Sequence, residues 1–475
     1  VVLCRFDGER ITTSDISHFE LPYRKTSSLL LIEGKQLYQS LQTSLQQGAE
    51  AADGPIASIA VDTMGTSFAL LDEHDALTEE VISGRVPQEK AILQSVFDRI
   101  PAREAYRITG LQPKKLNSLF LLAKFQRERP DLLESTRTFL MLPDLITFWL
   151  TGVKACELTE AGTSWLLDIH ARAWSERLLT AMELPTDWFP PIVRPGTVLG
   201  PLLPSMGEQT NLRETKVIAG PSHDTASAFA AVQDYYQRGQ DQVGGQGPRK
   251  QAGPSDREGW ILSCGTWSIF GSLEDTPIVS EEAFDANCAN EPAYDEKIMF
   301  VQNSVNLWIW EEFYKQLRAQ GYSYTHGKLN QLAGEAQPEI ASFDPMAPEF
   351  LLSTDMIGTI QACCQNKGSR VPETHGEIAR VILESLVANY RRQYERHVAI
   401  QGQAPSLLHL IGGGSRNPLL CQWTANSLGL PVKAGPGNAT ALGNSLVQLA
   451  ALGEMGTRDF HHIVEKSSSI TYYRP

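Results

Sequence analysis

Three consecutive glycines, Gly412-Gly413-Gly414, stand between the apolar run Leu407–Ile411 and the segment Ser415–Leu420. Glycine lacks the Cβ that keeps a ligand away from the backbone, and it accepts positive φ. The apolar run predicts a strand, the glycines a turn, and the residues after them a helix. That order lets a nucleotide lie against main chain beside a helix N-terminus, although a plain tight turn has the same pattern. The GxGxxG spacing of a dinucleotide site is absent.

Strand and helix signals alternate along the rest of the chain, which predicts α/β architecture. Residues 1–6 and 11–19 read as a strand pair about an Asp7-Gly8 turn. Gly34–Gln47 reads as a helix with Leu37, Leu41 and Leu45 on one face. Strands are expected at Ile56–Asp62 and Phe68–Leu71. Gln88–Gly152 reads as helical throughout, with Pro101, Pro130 and Pro143 at helix boundaries. Pro185–Pro204, proline-rich, is expected to be an irregular loop or crossing. Val217–Ala219 then reads as a strand, Asp224–Val232 as a helix, and Trp260–Ser263 with Ser268–Leu273 as a hairpin. The Gln233–Glu258 tract, rich in Gln, Gly, Asp and Arg, is expected to be a disordered insertion. Thr374–Ile400, Pro418–Leu428 and Ala439–Leu452 read as helices, with Pro431–Ala434 a strand among them.

At 475 residues the chain exceeds a single core, and two domains are expected, 1–215 and 216–475. Its net charge of −14 argues against a nucleic-acid groove or an anionic membrane as partner. A phosphate can still be held locally by backbone N–H groups. No run of 18 apolar residues predicts a membrane span, and Val1–Phe6 lacks the features of a signal peptide. The opening without methionine, in what reads as mid-strand, suggests that a beginning is missing. Seven scattered cysteines without metal spacing read as reduced thiols in a cytoplasmic protein. His461-His462 reads as a surface pair.

Four segments could carry chemistry. Val217–Thr225 sets Asp224 where a strand ends and a helix begins, suited either to capping the helix or to acting as a general base on a hydroxyl attacking phosphorus. His223 beside it could contact substrate. Ile261–Ser268 holds a Gly265-Thr266 turn whose N–H groups and hydroxyl could hold phosphate, or which simply joins two strands. Gly435–Asn444 leads into a helix faced with small residues, which permits close approach to another backbone or to a ligand. Asp62-Thr63-Met64-Gly65 offers a second strand-end carboxylate.

Together these passages resemble the FGGY family of carbohydrate kinases, and within it most closely the L-rhamnulose kinases. The similarity runs from about Val61 to Gly443 through VDTMGTSFALLD, FLMLPDLITFWLTG, SHDTASA, ILSCGTWSIFG, QNSVNLW, IGGGSRNPLL and AGPGNATALGN. It implies two actin-like (ribonuclease H-like) α/β domains closing on a catalytic cleft. It further implies phosphoryl transfer from ATP, with Mg²⁺, to the C1 hydroxyl of L-rhamnulose, in a monomer or homodimer. By position, Asp224 would be the catalytic base. Gly65, His223, Thr225 and Asn303 would contact sugar, while Thr266, Glu311, Gly412, Gly413 and Gly414 would face the nucleotide.

The chain also departs from the family pattern. It begins after the strand and Asp-x-Gly loop that wrap the ATP phosphates. The Asp-Thr-Trp-Gly-Val-Asp motif reads Asp62-Thr63-Met64-Gly65-Thr66-Ser67, and a Tyr-Arg-Asp stretch is replaced around Ser83-Gly84-Arg85-Val86. Glu311 stands in place of a glutamine, and Asn438 in place of a glutamate. These changes leave open a kinase for another ketose, such as fuculose or xylulose, or a homologue that binds sugar or nucleotide with impaired catalysis.

Overall fold

The computed structural model describes residues 1–86, 88–113, 115–233, 259–350 and 353–475. The insertion expected at Gln233–Glu258 falls almost wholly outside them. The chain divides into two compact units, one formed by Val1–Gln237, Leu273–Phe300 and Thr440–Ser467, the other by Arg238–Ser272, Val301–Ala439 and Ser468–Pro475.

The first unit is built around a sheet in the order Tyr23–Lys25, Leu30–Ile32, Val81–Ile82, Phe68–Leu71, Thr138–Met141. Thr138–Met141 corrects the expectation of unbroken helix over 88–152: it pairs antiparallel with Phe68–Leu71, and all four of its residues are buried. A four-residue apolar run has no periodicity that separates a buried strand from a buried helix. Helices flank it as expected, with Pro101 capping Ala102–Thr109 and Pro130 and Pro143 in the first turns of theirs. Gly34–Ala51 is a helix whose Leu37 is buried in the core, with Leu41 and Leu45 packed on the same cluster.

A second sheet, in the order Thr197–Pro201, Lys216–Ala219, Ser58–Ile59, positions the candidate residues. The proline-rich region is thus partly strand. Thr197–Pro201 lies at the sheet edge, where proline needs no ladder partner, and Ile192–Val193 pairs parallel with Cys156–Glu157. Lys216–Ala219 and Ser58–Ile59 run parallel, so their C-terminal ends release Gly220–Asp224 and Asp62–Gly65 on the same side.

In the second unit, Trp267–Glu274, Trp260–Cys264, Leu408–Ile411, Val432–Ala434 and Thr471–Tyr473 follow one another across a sheet. The middle three are parallel, and the outer two pair antiparallel with their neighbours. Helix His375–Gln401 starts from a Thr374/Glu377 capping box and buries Ile378, Ile382, Leu386 and Tyr390 against the sheet's Trp260, Phe270 and Leu410. All seven cysteines are free and five are buried. His461 is exposed and lies 3.3 Å from Glu465, one helical turn on. Among the described residues no helix is long and apolar enough to cross a membrane.

Candidate active site

In the first unit the two parallel strands continue their pairing beyond the sheet. Thr63 N–H donates to Ser222 O at 2.8 Å, and Asp224 N–H donates to Thr63 O at 3.0 Å. This ladder brings the Asp62–Gly65 turn alongside His223-Asp224. Asp224 is the first residue of helix Asp224–Ala230, and His223 occupies the cap position without a side-chain bond, so Asp224 is not the N-cap. The Asp224 side chain is half-exposed (49%). Its Oδ1 accepts from Thr225 Oγ1 at 3.1 Å and lies 3.7 Å from His223 Nε2. The other His223 nitrogen, Nδ1, lies 3.4 Å from buried Glu291.

A fully buried glutamate fixes this backbone. Glu157 accepts from Thr159 N–H (3.0 Å), the Thr159 hydroxyl (2.5 Å), Glu160 N–H (3.2 Å) and Ser222 N–H (3.0 Å). The same Thr159 hydroxyl accepts from His223 N–H at 3.2 Å. Burial pushes Glu157 up to about 7, with the Thr159, Ser222 and Glu160 bonds opposing. Glu160 is held well above the usual carboxylate range by burial first, then by the charges of Asp144, Asp224, Glu157 and Glu291. Neither of its carboxylate oxygens has a hydrogen-bond partner among the described residues. Asp62 is pushed up to about 6 by desolvation; a 2.6 Å bond from Asn444 Nδ2 opposes that shift and the charge of Asp224 adds to it.

Gly65 faces Thr163, where a Cβ would come within 2.7–2.9 Å of three side-chain atoms. Two of the places where the sequence departs from the family pattern, Thr66-Ser67 and Ser83–Val86, touch each other. Gly84 N–H donates to Ser67 Oγ at 3.3 Å, and a Cβ on Gly84 would run into the Thr66 side chain. Gly443, in the small-faced helix, lies against the backbone of Ser227 and Ala231 in the segment that Asp224 begins, where an added Cβ would run into Ser227 O and lie 3.0 Å from Ala231 N. Of the two readings of that helix, close packing is the one seen at Gly443.

The second unit gathers Thr266 and the three glycines. Gly412 has φ +79°, and a Cβ there would lie 3.1 Å from Cys264 O. Gly414 abuts the Cys264 side chain, whereas Gly413 is exposed with nothing within 4 Å of a Cβ. A 3-10 turn, Gly413–Arg416, separates the glycines from helix Pro418–Leu428, and Asn417 already caps that helix. The expected direct passage from turn to helix is corrected accordingly: a 3-10 turn and an Asn417 cap stand between them. Buried Asn306 supports the Gly265-Thr266 turn, donating to Gly265 O (3.2 Å) and Cys264 Sγ (3.0 Å) and bonding Tyr390 Oη. The Thr266 side chain is exposed. Asn303 lies in strand Ile298–Val305, its Oδ1 buried without a hydrogen-bond partner among the described residues. Glu311 is partly buried in helix Leu307–Ala319.

Models of the FGGY family of carbohydrate kinases match this chain twice, the N-terminal domain over residues 30–231 and the C-terminal domain over 261–452. The chain belongs to this family. Rhamnulokinase of Bacteroides thetaiotaomicron is 33% identical over 440 residues, covering 92% of this chain and 86% of that protein. Rhamnulokinase of Halalkalibacterium halodurans is 31% identical over 448 residues, covering 94% and 90%. Among solved structures, a ligand-bound xylulose kinase from Lactobacillus acidophilus superimposes with TM-score 0.76 at 17% identity, covering 100% of this chain and 91% of that one. Plasmodium falciparum glycerol kinase with ADP gives 0.71 at 11% identity, covering 98% and 89%. As a member, this FGGY protein is a sugar kinase, a phosphotransferase of α/β, actin-like fold. Glu157, Thr163 and Glu291, part of the same site, escaped the sequence reading. Glutamate is not a preferred cap residue, and nothing local marks a strand glutamate as the partner of a distant histidine.

Proposed function

We propose that this kinase phosphorylates the C1 hydroxyl of L-rhamnulose at the expense of ATP, in the cytosol. Its rhamnulokinase relatives, similar along most of both chains, support the sugar. The observation that carries the chemistry is Asp224: a half-exposed carboxylate on a backbone pinned from both sides. As the C1 oxygen bonds to the γ-phosphorus, its proton passes to Asp224, the bond from that phosphorus to the bridging oxygen breaks, and ADP leaves. Gly65, His223, Thr225 and Asn303 contact the sugar in this reading. The exposed Gly413 backbone and Thr266 hydroxyl fit the triphosphate, with Glu311, Gly412 and Gly414 beside them. In this reading residues 1–215 supply Gly65 to the sugar, and residues 216–475 supply the nucleotide contacts together with Asp224, His223, Thr225 and Asn303. Mg²⁺ would neutralise phosphate charge, accompanying ATP mainly through its phosphates and water.

The contact of Thr66 and Ser67 with Gly84, which joins two of the departures from the family pattern, favours a second reading in which the preferred ketose differs. ADP release measured across rhamnulose, fuculose, xylulose and related ketoses decides. Faster turnover on another sugar removes rhamnulose, and no turnover on any removes the kinase reading. Asp224→Asn should abolish turnover with ADP affinity retained; an active variant would exclude Asp224 as the base.

A further inference from the structure

His223 has two ring nitrogens in different surroundings. Nδ1 faces Glu291 Oε2 at 3.4 Å and Nε2 faces Asp224 Oδ1 at 3.7 Å. Neither Nδ1 nor that Glu291 oxygen has a hydrogen-bond partner among the described residues, so each is a buried polar atom left facing the other. Glu291 is held rigidly. Its strand, Ala289–Pro292, is wedged between two glycines: a Cβ on Gly110 would lie 2.6 Å from Asn290, and Gly162 leaves no space beneath Pro292. Asn290 N–H donates to Gly110 O at 2.8 Å, and the Asn290 side chain brackets Ile278 through bonds of 2.7 and 2.9 Å. The His223 backbone is anchored independently through Thr159 and Thr63. Two rigid elements thus present a carboxylate to one edge of the imidazole.

We propose that Glu291 is a positioning residue that accepts the Nδ1–H of His223 and so fixes the neutral ring in the Nδ1-protonated tautomer. An ionised carboxylate can only accept, and a neutral imidazole carries one N–H. Nε2 is then left with its lone pair, next to the acceptor oxygen of Asp224. Two acceptors side by side cannot bond each other; they call for two donors, which the C1 and C2 hydroxyls of a ketose in its cyclic form supply. Asp224 takes the hydroxyl that reacts, and His223 orients the hydroxyl beside it. With the other tautomer, Nε2–H would donate to Asp224 and compete with the substrate for it. The consequence for catalysis rests on the kinase reading above, but the tautomer does not.

The test is a long-range ¹⁵N–¹H correlation spectrum of ¹⁵N-histidine-labelled full chain, at a pH where free imidazole is neutral. The His223 signals are assigned by their loss in His223→Asn. Wild type should show Nδ1–H. Glu291→Gln, which keeps an acceptor oxygen, should retain it. Glu291→Leu should switch the ring to Nε2–H and raise the KM for the ketose about tenfold or more, with the Gln variant close to wild type. A wild-type ring that is Nε2-protonated or doubly protonated overturns the proposal, as does a Leu variant with unchanged tautomer. The wild-type spectrum alone is decisive if the Leu variant fails to fold. Nδ1–H in a protein that turns over no ketose would instead defeat the kinase reading and leave this one intact.

Discussion

A single methyl group placed on Gly65 measures how tightly the Asp62–Gly65 turn is held. In Gly65→Ala the new Cβ would lie 2.7 Å from Thr163 Cγ2, 2.8 Å from its Cβ and 2.9 Å from Oγ1. Ordinary contact begins near 3.4 Å, so one side must retreat by more than half an ångström. Thr163 resists rotation, because its hydroxyl donates to Glu160 O at 2.9 Å and accepts from Thr66 N–H at 2.9 Å. Overpacking of this kind costs about 1–3 kcal/mol. At roughly 2–4 °C per kcal/mol for a domain of this size, the melting midpoint should fall by about 5 °C. If the turn gives way instead, the sugar contacts proposed for it move with it. A shift of that size should lower kcat/KM for the ketose by about tenfold, since 1 Å of misplacement can cost roughly 10²-fold. ADP affinity, read by calorimetry, should stay the same. Gly48→Ala is the matched control: nothing lies within 4 Å of its Cβ inside helix Gly34–Ala51, and the change should stabilise by about 0.5–1 kcal/mol. If Gly65→Ala matches wild type in both midpoint and kcat/KM, the argument from Thr163 is wrong.

Two further outcomes follow from buried groups. Glu157, raised from 4.5 to about 7, keeps a proton in the folded chain that the unfolded chain has lost. Its contribution is therefore greatest below pH 4.5 and declines as pH climbs through 7, by about 3 kcal/mol in all. Asp62, raised to about 6, acts in the same direction. Melting midpoints should drop from pH 5 to pH 7.5, and a rise across that range would contradict the burial argument. Asn306→Ala, which takes one of two donors from Gly265 O and the amide acceptor from the Tyr390 hydroxyl, should cost about 1–3 kcal/mol and weaken ADP binding, leaving sugar affinity unchanged. Equal ADP affinity in that variant would show that the turn stands without Asn306.

How far the sequence reaches can be judged from particular residues. Strand Phe68–Leu71 and helix His375–Gln401 were legible because periodicity and capping are local properties. Thr138–Met141 was not, since its four apolar residues become a strand only when Phe68–Leu71 lies beside them. The proline-rich stretch misled for a similar reason: an edge position makes Thr197–Pro201 tolerable as strand. At the candidate site, Asp224, His223 and the glycine turn announce themselves through motif and neighbours in the chain.

Their surroundings do not. The sequence by itself determined the α/β class, the family and the residues that could carry a proton or cradle a phosphate, because those depend on side-chain type and short spacing. Only the tertiary structure decided that Glu157 ties Ser222, that Thr163 fills the space beside Gly65, and that Glu291 meets His223. Those pairs are 65, 98 and 68 residues apart in the chain, and packing alone brings them into contact.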